Sequence, residues 1–330
     1  MAIISGLSGL GIVMKVVIVG EFSQISRRQI RSVFPTDWQL AFVTPDEVDA
    51  EIGDVEVIIP EHVVIDGPFL KRAQHLKLVQ TGAGFDNVDI EACTAGGVYV
   101  ANAAGINAAA VAEHVLGFIL CWYKKLIMLD GIMKAGAYGV DYGGAELAGK
   151  VIGIVGLGNI GRQVGRYARA FGMQVLGYDI QPPDTDTQVE AVDFKTLLKR
   201  SDIVTLHIFL NSQTRHLIGR DELEMMKPAA LLINTARGPV IDERALIEAL
   251  QSKKIAGACL DVFEIEPLPA DSLLRTLDNV VLSPHTAGMP DGLKFHKKRY
   301  EYFVENIKRV ATQRAPLNAL NKLEHYSERP

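Results

Sequence analysis

A chain of 330 residues is long for one compact core, so two domains are the starting expectation. With 48% hydrophobic and 22% charged residues it has the make-up of an ordinary globular protein, and a net charge of −5 argues against a general polyanion-binding surface. Cys93, Cys121 and Cys259 lie far apart in apolar contexts without metal-ligand spacing, which reads as buried thiols in a reducing compartment and no metal site.

Residues 1 to 13 (MAIISGLSGLGIV) are apolar but lack the basic start and cleavage site of a secretory segment, so they read as a loosely ordered extension. No later run is long and charge-free enough to span a bilayer, and a cytoplasmic location is expected. From Lys15 the chain sets out short β-rich runs: KVVIVG, then WQLAFV from Trp38, VEVIIP from Val55, LKLVQT from Leu76 and VYVANA from Val98. Val111, Val115, Phe118, Ile119, Trp122 and Ile127 then follow a rough 3.6-residue period, predicting one long amphipathic helix.

A second series follows: VIGIVG from Val151, QVLGYD from Gln174, DIVTLH from Asp202, AALLINT from Ala229, IAGACLD from Ile255 and NVVLSPH from Asn279. Continuous Val/Ile/Leu runs separated by helical segments suit parallel strands covered on both faces. Two doubly wound α/β units fit this order. The cluster KFHKKR, Lys294 to Arg299, reads as one solvated helix face.

The strongest local signal spans Val151 to Asp179. An apolar strand ends at Gly156-Leu157-Gly158-Asn159-Ile160-Gly161, a helical pattern starts at once, and a second strand ends on Asp179. Gly156 permits the tight turn and Gly158 lets backbone N–H groups approach a pyrophosphate; Gly161 allows close helix–strand packing. Asn159 and Ile160 open the helix whose amino terminus would face the anion. The plain alternative, a glycine-rich turn without a ligand, fits the flanking strands and terminal acid less well. Asp179 can accept both ribose hydroxyls and would repel a 2′-phosphate, which predicts NAD rather than NADP.

In parallel sheets ligands sit beyond the carboxyl ends of strands, and Arg237, between Ala236 and Gly238, stands at such an end. Its planar fork suits a substrate carboxylate, whereas the bland reading is a surface salt bridge.

INTARG (Ile233 to Gly238), LDVFEIEP (Leu260 to Pro267), SPHTAG (Ser283 to Gly288), QTGAGFDNVD (Gln80 to Asp89) and APLNALN (Ala315 to Asn321) together resemble the D-isomer-specific 2-hydroxyacid dehydrogenase family. The resemblance implies a Rossmann NAD-binding domain, residues 106–289, inserted in a flavodoxin-like substrate domain, 14–105 with 290–330 returning to it. It implies an NAD-dependent hydride transfer between a D-2-hydroxy acid and its 2-keto acid, with Arg237 clamping the carboxylate and His285 as the acid/base. Glu266 matches the carboxylate paired with that histidine; Glu264, two residues earlier, is the competitor. Thr235, Ala236 and Asp261 match positions beside the nicotinamide, and His207 borders the adenosine end. Phe209 stands where the family shows proline. Ala83 and Gly84 would offer backbone N–H groups to the substrate, Asn107 aligns with a polar site residue of some relatives, and Lys294 and His296 are further candidates. A homodimer through the NAD-binding domain is implied, with Gly136 to Leu147 contributing, as is closure hinging near Gly105 and Met289. Rival readings are formate dehydrogenases, which carry glutamine where Glu266 stands; phosphite dehydrogenases, which share GFDN (Gly84 to Asn87); and NAD-sensing C-terminal-binding-protein corepressors.

Overall fold

A computed structural model describes residues 13–61, 63–138, 143–181, 189–289 and 293–323, with 293–295 described by backbone alone. Most of the amino-terminal extension and residues 139–142 of the expected dimer segment therefore lie outside the described residues, as does the Lys294 side chain. The chain divides into two compact units, Met1–Ile106 with Asp291–Pro330, and Asn107–Pro290.

The first unit carries β1 (Lys15–Val19), α1 (Gln24–Arg31), β2 (Gln39–Val43), β3 (Val57–Ile59), α2 (Gly67–Arg72), β4 (Leu78–Gln80), α3 (Ile90–Ala95) and β5 (Tyr99–Ala101). Its sheet has the order β2-β1-β3-β4-β5, every pair parallel, which is the flavodoxin-like order. β1 is sealed on both faces, with Val16, Val17, Ile18 and Val19 each 0% exposed. Such burial explains why the run lacks polar alternation. Asp66 and Asp89 cap α2 and α3, each accepting a backbone N–H of the first turn.

The returning segment closes this unit. Leu320 N–H donates to Val100 O at 2.8 Å, and Asn321 accepts from Val100 N–H at 2.9 Å while donating to Val98 O at 2.8 Å. APLNALN is thus stitched to the edge strand β5, satisfying backbone groups that an open edge would leave unpaired.

The second unit holds α4 (Ala108–Tyr123), α5 (Leu126–Lys134), β6 (Val151–Val155), α6 (Asn159–Ala170), β7 (Gln174–Tyr178), β8 (Glu190–Ala191), α7 (Phe194–Arg200), β9 (Ile203–Leu206), α8 (Arg220–Met225), β10 (Leu231–Asn234), α9 (Glu243–Gln251), β11 (Gly257–Leu260) and β12 (Val280–Leu282). The sheet order is β12-β11-β10-β9-β6-β7-β8, all pairs parallel. This is the dinucleotide-binding order, extended by one strand, with its reversal between β6 and β9. α10 (Leu293–Ala311) then returns the chain to the first unit.

Two expectations need correction. The predicted single helix from Val111 to Ile127 is two, because Lys125 adopts φ 53° and breaks the hydrogen-bond ladder between α4 and α5. The Lys294–Arg299 cluster is not one solvated face. Helical periodicity turns Arg299 inward, where its side chain is 13% exposed and bonds Glu61 at 2.8 Å. His296, one turn earlier, is half-buried against the edge of Phe22, and burial followed by the Arg299 charge lowers its pKa. Among the thiols, Cys93 and Cys259 are buried and Cys121 is only partly so.

Candidate active site

The glycine-rich turn lies at the reversal point of the larger sheet. Gly156 has φ 94°, and a Cβ there would come within 2.4 Å of His207 O, so the turns after β6 and β9 touch through a residue without a side chain. At Gly161 a Cβ would meet Gly156 O at 2.0 Å, which fixes how closely α6 approaches the turn. Gly158 differs: a Cβ there meets nothing within 4 Å. Open space therefore faces the first turn of α6, where Asn159 and Ile160 stand and where a helix presents unsatisfied N–H groups. Asp179 follows β7; its Oδ2 accepts from Leu157 N–H at 2.7 Å and its Oδ1 from Gln181 N–H at 3.0 Å. The acid pins the turn and keeps lone pairs for further donors.

His207 lies beside this turn with Nε2 3.0 Å from Thr205 Oγ1 and a buried Nδ1 that has no partner among the described residues. Burial pushes its pKa down to about 3, so the ring is neutral. Phe209, at the expected proline position, is exposed. Thr235, after β10, has a buried Oγ1 with no partner among the described residues. Open space at Gly158, the acid after β7 and this orphaned hydroxyl fit a bound dinucleotide.

The loops after β10, β11 and β12 hold the second cluster. Asn234 shapes the first loop, accepting from Ala236 N–H at 3.0 Å and donating to Arg237 O at 2.9 Å. Gly238 lets this loop press on the next, since a Cβ there would lie 1.9 Å from the Phe263 carbonyl. Glu266 follows in that next loop. Its Oε1 accepts from Phe263 N–H at 3.0 Å, and its Oε2 lies 2.7 Å from His285 Nδ1. An ionised carboxylate only accepts, so Nδ1 carries the proton and Nε2 is left for a ligand. Burial raises the Glu266 pKa, but the bonds from His285 and Phe263, with the charges of His285 and Arg237, bring it below its ordinary value. Glu264 does not join this pair; it bonds His216 Nε2 at 2.7 Å.

His285 itself has φ 54° and its N–H donates to Asp261 O at 2.7 Å. Asp261 is 1% exposed, and its carboxylate accepts from Thr286 N–H and Ala287 N–H at 2.9 Å each and from the Ser283 hydroxyl at 2.5 Å. Asn107, before α4, has a buried Oδ1 with no partner among the described residues, and its Nδ2 would lie 2.5 Å from a Cβ on Gly288. Arg237, Glu266, His285, Asp261, Thr235, Ala236 and Asn107 thus belong to one unit, whereas Ala83 and Gly84 belong to the other, after β4.

Residue-by-residue reading of the sequence passed over Ser283 and His114, whose Nε2 is 2.9 Å from Ser283 Oγ. A signal for His114 existed, because it lies seven residues after Asn107 and so on the same face of α4. The partner for Arg299, Glu61, had none, being 238 residues away. Among the described residues no group of three His, Cys, Asp or Glu side chains could hold a metal, and no helix is long and apolar enough to cross a membrane.

Two parallel sheets, a glycine turn at a strand-order reversal, and an Arg, a His and a Glu on adjacent loops define an NAD-binding α/β oxidoreductase. A sequence profile described as "D-isomer specific 2-hydroxyacid dehydrogenase, NAD binding domain" matches residues 116–287. The chain belongs to the D-isomer-specific 2-hydroxyacid dehydrogenase family and is an NAD-dependent oxidoreductase of 2-hydroxyacids. It is 38% identical over 303 residues to a glyoxylate reductase of Thermofilum pendens, covering 89% of this chain and 84% of that one. Against a D-3-phosphoglycerate dehydrogenase of Methanocaldococcus jannaschii it is 38% identical over 286 residues, covering 84% of this chain but only 54% of the relative. A D-lactate dehydrogenase from Aquifex aeolicus, solved with NAD and lactic acid, superposes with a TM-score of 0.82 at 30% identity, covering 90% of this chain and 95% of that one. The formate, phosphite and corepressor readings are not favoured by these likenesses.

Proposed function

We propose that this chain is a cytoplasmic reductase of small 2-keto acids, of the glyoxylate or hydroxypyruvate kind, acting as a homodimer through its NAD-binding domain. The observation that carries the reading is the 2.7 Å pair of His285 Nδ1 and Glu266 Oε2, on the loop beside Arg237. Bound NADH supplies the hydride. Arg237 holds the substrate carboxylate with its planar fork and draws electron density from the neighbouring carbonyl. His285 delivers a proton from Nε2 to the oxygen that becomes the hydroxyl, and Glu266 favours the imidazolium and fixes the ring. By the family resemblance Ala83 and Gly84 would offer backbone N–H groups to a substrate, and Asn107 its amide. Gly156, Gly158, Asn159, Ile160 and Gly161 receive the pyrophosphate, Asp179 the ribose hydroxyls, and His207 borders the adenosine. Thr235, Ala236 and Asp261 stand by the nicotinamide.

Initial rates of NADH oxidation with glyoxylate, hydroxypyruvate, pyruvate and phenylpyruvate test this. Turnover of the first two, at least tenfold faster with NADH than with NADPH, is expected. Turnover of none by a chain that binds NADH would remove the assignment.

A further inference from the structure

We propose that His114 and Ser283 are positioning residues that leave the Asp261 carboxylate one open acceptor, on Oδ2, for an N–H of the nicotinamide carboxamide. The proposal rests on the NAD reading above and assigns this work to two residues outside the reacting set.

A carboxylate offers about four lone-pair positions. Asp261 Oδ1 takes two donors, the Ser283 hydroxyl at 2.5 Å and Thr286 N–H at 2.9 Å, while Oδ2 takes one, Ala287 N–H at 2.9 Å. Among the described residues no second donor reaches Oδ2, so one position on it remains, in a residue only 1% exposed, where an unmet acceptor is costly. With its one hydroxyl proton given to Asp261 Oδ1, Ser283 can only accept from the His114 ring. His114 Nε2, 2.9 Å from the Ser283 oxygen and 3.9 Å from Asp261 Oδ1, is the donor. The relay therefore runs in one direction, from the His114 ring to the Ser283 hydroxyl to the carboxylate, and its polarity closes Oδ1. The His114 ring is itself held edge-on by Phe118, with centroids 4.5 Å apart on the same helix.

Without Ser283, Oδ1 regains an open position, the carboxylate can turn between its two backbone donors, and a carboxamide is no longer directed to a single oxygen. The same carboxylate ties down residues 286 and 287, and the Asp261 carbonyl ties down His285 at φ 54°. A left-handed histidine persists only where its surroundings hold it.

The test compares equilibrium binding of NAD with that of its 3-acetylpyridine analogue, which keeps the charge and ring but replaces the amide NH2 by methyl. Calorimetry on the full chain reads both dissociation constants. Native protein should favour NAD about tenfold, the worth of one hydrogen bond to a charged acceptor. Ser283→Ala and His114→Phe should reduce that preference to about twofold or less. Ser283→Thr keeps the hydroxyl and His114→Gln keeps a donor at the same reach, so both should restore it. A preference of tenfold in His114→Phe, whose ring retains the packing on Phe118, overturns the relay even if Ser283→Ala does not fold. Native protein that binds both dinucleotides equally overturns the open acceptor while leaving the NAD reading intact, and native protein that binds neither overturns that reading itself.

Discussion

In the proposed function Glu266 is the partner of the acid/base His285, 2.7 Å away. Burial alone would raise this carboxyl, yet the hydrogen bonds and positive charges around it bring it below its ordinary value. Under the proposed function the proton for reduction comes from the imidazole ring, and an anion beside an imidazole favours its protonated form. Glu266→Gln removes the anion while keeping the shape. The reduction rate of the variant should therefore fall off at lower pH than in the native enzyme, with a loss in kcat/KM of about tenfold or more at neutrality. A pH–rate profile superimposable on the native one would exclude Glu266 from the proton's path. The same depression has a stability consequence with a definite sign. A carboxyl lowered on folding contributes stability above its unfolded value, and that contribution is lost as pH falls through the folded value. Native protein and Glu266→Gln should accordingly converge in stability in strong acid and differ at neutrality.

At the scale of elements, the turn between β6 and α6 separates packing from binding through its three glycines. Gly161→Ala would drive a methyl group to 2.0 Å from Gly156 O, so α6 must shift, and thermal unfolding of the unliganded chain should drop by several degrees. Gly158→Ala meets nothing within 4 Å and has an ordinary φ of −72°, so its unliganded melting temperature should stay near native. Its methyl would instead stand in the open space before α6, and NAD should no longer raise its melting temperature as it does for the native chain. A normal NAD-induced shift in Gly158→Ala would place the pyrophosphate elsewhere. This turn was legible in the sequence because strand, glycines, helix and Asp179 are local to 29 residues. The break between α4 and α5 was not, since lysine is a good helix former and its residue type does not announce a φ of 53°. Arg299 was misread for a related reason: in KFHKKR every residue except Phe295 is basic, and only the position of Glu61 across the fold shows which of the cations turns inward.

For the whole molecule, the two-unit order and parallel sheets were readable from alternating strands and helices, apart from the two-residue strand β8, Glu190–Ala191, which lacks any apolar run. The convergence of Arg237, Glu266 and His285 was not readable from pattern, because it depends on the loops of β10, β11 and β12 emerging side by side. Assembly is the remaining question at this scale. Helix α5 has no buried residue, and Leu126, Ile127, Met128 and Met133 are 50%, 58%, 42% and 54% exposed on the single chain. Nearby Tyr138 is 88% exposed. Monomers rarely leave so many large apolar side chains together on one helix, and a second copy of the NAD-binding unit would cover them. Under that arrangement Ile127→Asp would bury a charge at a symmetric contact, twice per assembly, and should shift the sedimentation coefficient from dimer to monomer at micromolar concentration. Far-ultraviolet circular dichroism should be unchanged, because Ile127 is more than half exposed on a helix that buries no residue. A native protein that sediments as a monomer at tens of micromolar would exclude the dimer, and an Ile127→Asp variant that remains dimeric would move the interface away from α5.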